Sequence, residues 1–502
     1  MNNLKTYYLY LTIFITGAAV LAIEIAGTRI LAPFYGSTIF VWSSLIIITL
    51  GFLALGYFIS GRLADKHPQG KWLYAVIFLG GASALFILKI SQPILILSDR
   101  FGMRFGPMVA AFLLFSLPFF LLSMAGPFVI RLRTRLLDKS GNVAGMVFGI
   151  STAGSLIGAL ITGFFLIPNF FISSIFIVIS LIIMLVAIIG LYLEKSSWQL
   201  IFVAILLIIL VLAIPLVKSK DLITHEVSII HQEPSFYADL KVVELPYARS
   251  LVMNGISQSA FSPNKRQVLT QDILELNREI KAWPHDARVL VLGFGAGEAA
   301  RILDSSYQVD YIEIDPKTVK LAKDFFDFEL NENDQIIISD ARRFLRTTDN
   351  TYDIIFVDIY NGGLIPFHTH TREALRLMKA RLKPNGVLLS NIIARPDDLL
   401  LQSLVKTTKA VFPKVITGAY KEGLSNILIY ASPNLNYEPQ FIASPPRIKL
   451  FTHLYQEIEV DDSIGLVIID DKNPIEILET ERLAELLDLT KEVFGFQPLF
   501  NS

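Results

Sequence analysis

Hydrophobic patterning divides the chain into two halves. From Tyr7 to Val217 apolar runs recur with few charges, and from Lys218 onward charged residues are common. A helix that crosses a bilayer needs about 20 mostly apolar residues. Seven runs come near this length: 8–30, 39–60, 72–90, 107–130, 143–167, 170–193 and 198–217. We therefore predict a membrane domain of about seven helices over 1–217 and a linker over 218–226.

Two features of the predicted membrane domain suggest specific contacts. Gly154 and Gly158 in the fifth span, like Gly145 and Gly149, have the small-xxx-small spacing that lets two helices approach closely. The first span contains Glu24 and Arg29 within "AIEIAGTRILAPF". Ionisable groups at membrane depth are costly, so this pair is either a structural ion pair or part of a functional site.

The second half has the pattern of an α/β domain. Short strand-like runs between Val227 and Phe261 include a hairpin turn at Asn254-Gly255. Helical periodicity follows over 267–283, and from Arg288 onward strands and helices alternate. This order predicts a small β-subdomain with its following helix over 227–283. A doubly wound, mostly parallel sheet is predicted over 284–502.

A glycine-rich turn opens the alternating region, in "RVLVLGFGAGEAARIL" (288–303). Gly293, Gly295 and Gly297 follow the first strand directly, and glycine is the residue that allows a tight bend and a close approach to a ligand. In doubly wound sheets ligands bind beyond the carboxyl ends of the strands. The turn therefore predicts a cofactor site.

Acidic residues end the next strands of the predicted sheet. Glu313 follows Gly293 by 20 residues, at the position where a carboxylate binds ribose hydroxyls. Asp340 follows the third strand, and Asp358 the fourth. Taken singly, Glu313 fits a solvated strand end and Asp340 a helix N-cap. Together with the glycine turn they favour a nucleoside or S-adenosyl cofactor over a dinucleotide, whose enzymes do not require the third-strand acid.

Several segments resemble the spermidine synthase family, the polyamine aminopropyltransferases: "VLVLGFGAGEAAR", "YIEIDPKTV", "ISDARRFL" and "YDIIFVDIYNGGLIPFHTHTREAL". "EIAGTRILAPFYGSTIFVWSS" and "GRLADK" are similar to the branch in which a multi-span bundle precedes this domain. The resemblance implies a Rossmann-like domain of the S-adenosylmethionine-dependent transferase type behind a small N-terminal β-hairpin subdomain. It also implies transfer of an aminopropyl group from decarboxylated S-adenosylmethionine to a diamine such as putrescine.

The resemblance also implies roles for individual residues. Glu313 would bind the ribose, and Asp340 would hold the adenine amino group with Ala341 beside it. Asp358 would bind the attacking amine and help to deprotonate it. Gln258 and Tyr237 would lie near the substrate.

The chain departs from the family pattern mainly where polyamine would bind. Ala296 replaces an aspartate that grips the aminopropyl amine, and Asn361, a further substrate-binding candidate, replaces a second aspartate. Ala238 replaces a glutamine, and the tyrosine and acid expected in the following helix are missing from "NKRQVLTQDILEL". An aspartate at this position would repel the carboxylate of S-adenosylmethionine. Because Ala296 removes that repulsion, the cofactor is either S-adenosylmethionine or its decarboxylated form. Glu298 could restore the charge, but a first-turn acid favoured by the helix dipole is the interpretation we prefer.

Composition excludes some classes of function. The net charge of −1 gives no sign of a nucleic-acid partner, and the absence of cysteine excludes disulfides and thiolate metal sites. His368 and His370 lack an evident third ligand, so we predict that they line the cleft and that no metal is bound. The sequence does not decide between a monomer and a homo-oligomer.

Orientation is harder to predict. The basic loops Arg62–Lys71 and Arg131–Lys139 fall on one side, which the positive-inside rule makes cytoplasmic. Seven spans would then place the second half outside, although its cofactor is expected inside. We predict a multi-pass protein of the cell membrane, in contact with the lipid bilayer, with a cytoplasmic catalytic domain and a small amine as substrate. The alternatives are a methyltransferase, or a transporter or sensor with a non-catalytic adenosyl-binding domain.

Overall fold

A computed structural model describes residues 3–134, 140–195, 227–262, 267–268, 270–420, 423–443 and 455–494. The chain divides into two compact units, Met1–Asp221 and Leu222–Leu499. The predicted seventh span (198–217) and the predicted linker (218–226) lie outside the described residues.

The first unit is helical. Its described helices are α1 Asn3–Tyr35, α2 Ile39–Lys66, α3 Gly70–Asp99, α4 Gly102–Ser123, α5 Ala125–Arg133, α6 Ser140–Ile161, α7 Ile167–Asn169 and α8 Ile172–Leu193. A π-helical turn, Thr162–Leu166, joins α6 to α7. Within the described residues, six continuous helical stretches are long and apolar enough to cross a membrane. The first six predicted spans are therefore confirmed as apolar helices. The observed helices differ from the predicted runs at one or both ends.

Helix α1 packs closely on α6 through small residues. A Cβ added to Gly154 would lie 2.1 Å from the Phe14 carbonyl oxygen, and one added to Gly158 would lie 2.3 Å from the Ala18 carbonyl oxygen. These two glycines are therefore required at the contact, as their spacing predicts. Gly145 has open space around its Cβ position and takes no part in it.

Several helix ends meet at one end of the bundle. Three polar contacts define this end: Arg131 Nε with Asp65 Oδ1 at 2.8 Å, Arg133 Nη1 with Thr6 Oγ1 at 2.9 Å, and Lys5 Nζ with Glu194 Oε1 at 3.2 Å. The start of α1 and the ends of α2, α5 and α8 therefore lie together. The described start of the second basic loop, at Arg131 and Arg133, therefore shares this end with the first loop, as predicted.

Large apolar side chains are exposed on the outside of the helical unit. Phe164 and Tyr192 are more than two thirds exposed, and many leucine, isoleucine and phenylalanine side chains of α2, α4 and α6 are about half exposed. Soluble monomers rarely expose contiguous apolar surface on this scale, so the surface is suited to lipid.

The second unit begins with a small antiparallel sheet. Its strands are β1 Ser228–Pro234, β2 Asp239–Glu244, β3 Arg249–Met253, β4 Ile256–Ser257, β5 Phe261–Ser262 and β6 Gln267–Val268, in the order β1-β2-β3-β5-β6 with β4 on β3. Helix α9, Gln271–Ile280, follows. The helix was predicted from Gln267, which is wrong, because Gln267 and Val268 pair with β5 as a strand.

The larger sheet has eight strands in the order β14-β12-β13-β11-β10-β7-β8-β9. Strands β7 to β11 run parallel, and β12 to β14 add an antiparallel edge. This confirms a mostly parallel α/β sheet. The elements are β7 Arg288–Leu292, α10 Glu298–Ile302, β8 Gln308–Glu313, α11 Pro316–Phe325, β9 Gln335–Ile338, α12 Ala341–Thr347, β10 Tyr352–Val357, α13 Arg372–Arg381, β11 Leu382–Ala394, α14 Leu399–Lys409, β12 Lys414–Tyr420, β13 Ser425–Ser432, α15 Gln440–Ala443, β14 Tyr455–Glu457, α16 Ile475–Leu478 and α17 Thr480–Phe494.

Both faces of the parallel strands are buried. In β7, Val289 and Val291 join the apolar cluster on one face, and Leu290 and Leu292 join the cluster on the other. A strand buried on both faces needs an unbroken apolar run, which explains "VLVL". The carboxyl ends of β7, β8 and β10 are thereby fixed side by side.

Candidate active site

A cavity of about 650 Å³ opens at the carboxyl ends of the parallel strands. The small sheet, α9 and the Leu486, Leu489 and Thr490 side chains of α17 complete its wall. Six carboxyl groups line it, and among its described lining residues there is neither lysine nor arginine. The six are Asp272, Glu298, Glu313, Asp315, Asp340 and Asp358. Such a cavity is suited to a cationic ligand.

The glycine turn after β7 has the conformation that its sequence predicts. Gly293, Gly295 and Gly297 all have positive φ, at 100°, 54° and 76°. A Cβ on Gly293 would lie 2.0 Å from the carbonyl oxygen of Asp358, so this glycine lets the ends of β7 and β10 touch. A Cβ on Gly295 would meet nothing within 4 Å. Gly293 and Gly295 line the cavity, whereas Gly297 lies behind it as the N-cap of α10.

Glu313 lies at the end of β8 and is buried. Its Oε2 accepts from the Phe294 amide at 3.2 Å and its Oε1 from the Asp315 amide at 2.9 Å. Burial raises the pKa of Glu313, and these two hydrogen bonds oppose the shift. The carboxylate therefore braces the glycine turn and retains acceptor capacity on both oxygens for ribose hydroxyls.

Asp340 caps α12 and also faces the cavity. Its Oδ1 accepts from the Arg343 amide at 2.8 Å, and its Oδ2 lies 3.0 Å from His368 Nε2. The N-cap interpretation is therefore correct, and it is compatible with a ligand role because Ala341 and His368 line the cavity beside this carboxyl. His370 is buried elsewhere, where loss of solvent lowers its pKa to about 4.

Asp358 lies just beyond β10 and lines the cavity. Asn391 Nδ2 donates to its Oδ1 at 2.9 Å. Burial raises the pKa of Asp358 above its usual value, and the Asn391 hydrogen bond opposes that rise. A carboxylate with a raised pKa is a stronger base, as proton abstraction from an amine requires.

Two further acids were not assigned a role from the sequence. Asp272 lies on the buried face of α9, and burial, then the negative charges of Asp358 and Glu298, raise its pKa. Glu298 is buried at the start of α10, where its oxygens accept from the Ala260 amide at 3.0 Å and Thr270 Oγ1 at 2.7 Å. Burial raises the pKa of Glu298 to about 8.

Glu298 lies in the first turn of α10, as the preferred interpretation has it, and it also lines the cavity. A sequence signal existed for Asp272. Asp272, Glu275 and Glu279 repeat at helical spacing, and all three are buried, so an acidic stripe lies on the covered face of α9.

The three substrate-binding candidates all line the cavity, namely Tyr237, Gln258 and Asn361. Asn361 Oδ1 accepts from Asn254 Nδ2 at 3.3 Å, and Gln258 Nε2 donates to the Ile256 carbonyl at 3.2 Å. The loop after β10 is thus tied to the hairpin of the small sheet.

Ala296 does not belong to the cavity lining. It is 1% exposed and packs in an apolar cluster with Ala238, Leu240 and Phe326. The two alanines that replace polar residues of the resembling family therefore lie in one cluster. The carboxyl that α10 contributes to the cavity wall belongs instead to Glu298.

No group of three or more metal-ligating side chains with suitable geometry occurs among the described residues.

Residues 275–421 match the family described as "Spermine/spermidine synthase domain". The chain is 28% identical over 176 residues to a polyamine aminopropyltransferase of Vibrio vulnificus, a match that covers 33% of this chain and 59% of that protein. It is 25% identical over 435 residues to a polyamine aminopropyltransferase of Oceanobacillus iheyensis, covering 79% of this chain and 76% of that one. A probable spermidine synthase of Corynebacterium glutamicum superposes with a TM-score of 0.43 at 18% identity, covering 48% of this chain and 96% of that one.

The chain spans between half and three fifths of the length of the first two curated relatives that it matches. The match to residues 275–421 includes the glycine turn and the carboxyl groups at the ends of β8, β9 and β10. Residues 275–421 are therefore similar to a spermine/spermidine synthase domain, which confirms the resemblance seen in the motifs.

Proposed function

We propose that the chain is an aminopropyltransferase. It would transfer the aminopropyl group of decarboxylated S-adenosylmethionine to an amine such as putrescine and release methylthioadenosine. The observation that carries this proposal is the cavity with six carboxyl groups and no lysine or arginine among its described lining residues, at the glycine turn of a spermine/spermidine synthase domain. Both reactants are cations, so the charge of the site matches them.

The same charge pattern favours one cofactor over the other. Decarboxylated S-adenosylmethionine presents a sulfonium and an ammonium group, both positive. S-adenosylmethionine adds a carboxylate, which an ionised Asp358 would repel at short range. Ala296 does not make room for this carboxylate, because Ala296 lies outside the cavity lining. A methyltransferase is therefore the weaker proposal.

The adenosyl end of the cofactor would lie at β8 and α12. Glu313 would accept hydrogen bonds from the ribose hydroxyls. Asp340, beside Ala341, would accept a hydrogen bond from the adenine amino group. His368 Nε2, 3.0 Å from Asp340 Oδ2, would orient that carboxylate.

Asp358 would act on the acceptor. An alkylamine has a pKa near 10, by analogy with lysine, and arrives protonated. Asp358 would bind this cation and take one proton. The nitrogen lone pair would then attack the carbon next to sulfur, the carbon–sulfur bond would break, and its electron pair would stay on sulfur. Holding the two reactants in line supplies much of the remaining rate enhancement.

The helical unit would place the enzyme in the cell membrane. Six apolar helices and an apolar outer surface support a bilayer as partner. The end of α8 lies with the basic loops, which supports a cytoplasmic position for Glu194. We extend this to a cytoplasmic catalytic unit, the compartment in which an S-adenosyl cofactor is expected.

The test uses the full chain in detergent or nanodiscs. It is incubated with putrescine and either decarboxylated S-adenosylmethionine or S-adenosylmethionine, and products are followed by mass spectrometry. Methylthioadenosine from the decarboxylated cofactor is the expected product. S-adenosylhomocysteine from the other cofactor would indicate a methyltransferase instead, and binding without either product would indicate a sensor or transporter.

A further inference from the structure

The Asp358 carboxylate is held by a side chain from the neighbouring strand. Asn391 lies on β11, which runs parallel to β10, and its Nδ2 donates to Asp358 Oδ1 at 2.9 Å. Asn391 is buried. A buried amide in this position fixes one oxygen of the carboxylate.

A second amide fixes the orientation of the first. Asn426, from the antiparallel strand β13, donates through Nδ2 to Asn391 Oδ1 at 3.0 Å and to Asp272 Oδ1 at 3.3 Å. If the Asn391 amide were reversed, its oxygen would face the Asp358 carboxylate and its NH₂ group would face that of Asn426. Only one orientation therefore pairs every donor with an acceptor.

The backbone at Asn391 is fixed as well. Tyr360, two residues after Asp358, donates from its hydroxyl to the Asn391 carbonyl at 3.0 Å and accepts from the Ile393 amide at 2.9 Å. The loop that carries Asp358 and the strand that carries Asn391 are therefore tied together at two points.

We propose that Asn391 and Asn426 are positioning residues, which hold Asp358 Oδ1 so that Asp358 Oδ2 is presented to the attacking amine. Within the described residues, no hydrogen bond to Asp358 Oδ2 is found. The proposal rests on the proposed function and adds two residues of the cavity lining that act through Asp358.

The proposal predicts an effect on the pH dependence of catalysis. Donation from Asn391 favours the ionised form of Asp358, and the carboxyls of Asp272 on α9 and Glu298 on α10, with the Tyr360 hydroxyl, are the other titratable groups that face it. Loss of the donor should therefore raise the pKa of Asp358. Because the ionised form is the base, the acid limb of the kcat profile should move to higher pH.

The experiment measures kcat for methylthioadenosine formation against pH in the full chain, with putrescine and decarboxylated S-adenosylmethionine. Asn391→Asp removes the donor and adds a like charge, and we expect its acid limb to move up by at least one pH unit. Asn426→Leu leaves Asn391 free to reverse and should move the limb in the same direction by less. Asn385→Asp, the same change at an exposed position of β11, is the control and should leave the limb in place.

The outcomes separate the two proposals. If the wild type is active and Asn391→Asp lowers kcat without moving the limb, Asn391 has only a structural role and the positioning proposal is wrong. The positioning proposal is also wrong if the acid limb of the kcat profile moves by the same amount in Asn385→Asp as in Asn391→Asp. If the wild type forms no methylthioadenosine from any amine, the proposed function fails, and the positioning role fails with it.

Discussion

At the scale of single residues, burial and hydrogen bonding give the cavity carboxyls different tasks. Glu313 and Asp340 accept hydrogen bonds from backbone amides and hold local structure. These hydrogen bonds stabilise part of the negative charge on each carboxylate. Asp358 accepts one side-chain amide and has a raised pKa. Asp358 combines a raised pKa with a single side-chain hydrogen bond, and this is why we propose it as the base.

Asp358→Asn tests this assignment. The amide keeps the shape of the side chain but cannot hold the ammonium ion or accept its proton, so we expect kcat to fall by about 10²- to 10⁴-fold. Methylthioadenosine should still bind, since Glu313 and Asp340 are unchanged, and calorimetry can measure this. The exposed change Asp349→Asn is the control. Turnover that survives in Asp358→Asn would rule out the base role.

Glu298 predicts a pH-dependent stability. Its pKa is about 8 in the folded chain, whereas the ordinary value for a glutamate is 4.5. The folded state therefore holds the proton more tightly than the unfolded state does. Stability should therefore fall as pH rises from about 4.5 to 8. Glu298→Gln removes this loss, and its melting temperature relative to wild type should rise by about 2 °C or more between pH 6 and pH 8.5.

Differential scanning fluorimetry without ligand measures this difference. Glu329→Gln, an exposed change of the same kind, should show the same difference from wild type at both pH values. A pH-independent difference for Glu298→Gln would show that its carboxyl is ionised throughout.

These residues also show what patterning can predict. Glu313, Asp340 and Asp358 were found because each ends a strand, and strand ends meet at one edge of a parallel sheet. Asp272 was missed, and Glu298 was only the less favoured candidate, because both acids reach the cavity from helices and their position depends on how α9 and α10 pack. Ala296 was misplaced for a related reason: the spacing of a loop does not show which of its side chains face the ligand.

At the scale of elements, the glycine turn carries two different constraints. Gly293 is needed because β7 and β10 touch there, and Gly295 faces open space in the cavity. The same substitution at the two positions should therefore separate folding from binding.

Gly293→Ala should destabilise the catalytic unit by more than about 2 kcal/mol, because positive φ and the contact with the Asp358 carbonyl both oppose a Cβ. Gly295→Ala should cost about 1 kcal/mol for its positive φ, but should weaken cofactor binding. Urea unfolding and calorimetric titration measure the two effects. Equal unfolding free energies for both variants would contradict the close contact at Gly293.

Element boundaries followed from the sequence less well than element types. The parallel strands were predicted because their apolar runs are continuous. The start of α9 was missed because the helical period of "QVLTQDILEL" also covers two residues whose backbone pairs with β5. In α4 and α5 hydropathy predicted one span, and the break at Met124 has no apolar signature.

At the scale of the whole molecule, the number of helices decides on which side the chain leaves the bundle. Six candidate spans among the described residues return the chain at Glu194 to the end where α1 begins. The seventh predicted run lies beyond, outside the described residues, so the side of the catalytic unit stays a prediction.

The absence of native cysteine makes the topology easy to test. Single cysteines at the exposed positions Gln69, Lys195 and Asp349 should react with an impermeant maleimide only from the cytoplasmic side. A cysteine at Ser37 should react only from outside. Labelling of Gln69→Cys and Lys195→Cys from opposite sides would contradict the arrangement of the bundle. Outside labelling of Asp349→Cys would contradict the cytoplasmic catalytic unit alone.

The apolar cluster that encloses Ala296 and Ala238 limits which substitutions these two positions tolerate. Ala296→Asp would restore the residue of the resembling family, yet it would place a charge among Leu240, Val242 and Phe326. A single reversion should therefore lower stability before it could improve binding. Packing therefore disfavours an acid at position 296, while Glu298 already contributes a carboxyl to the cavity wall.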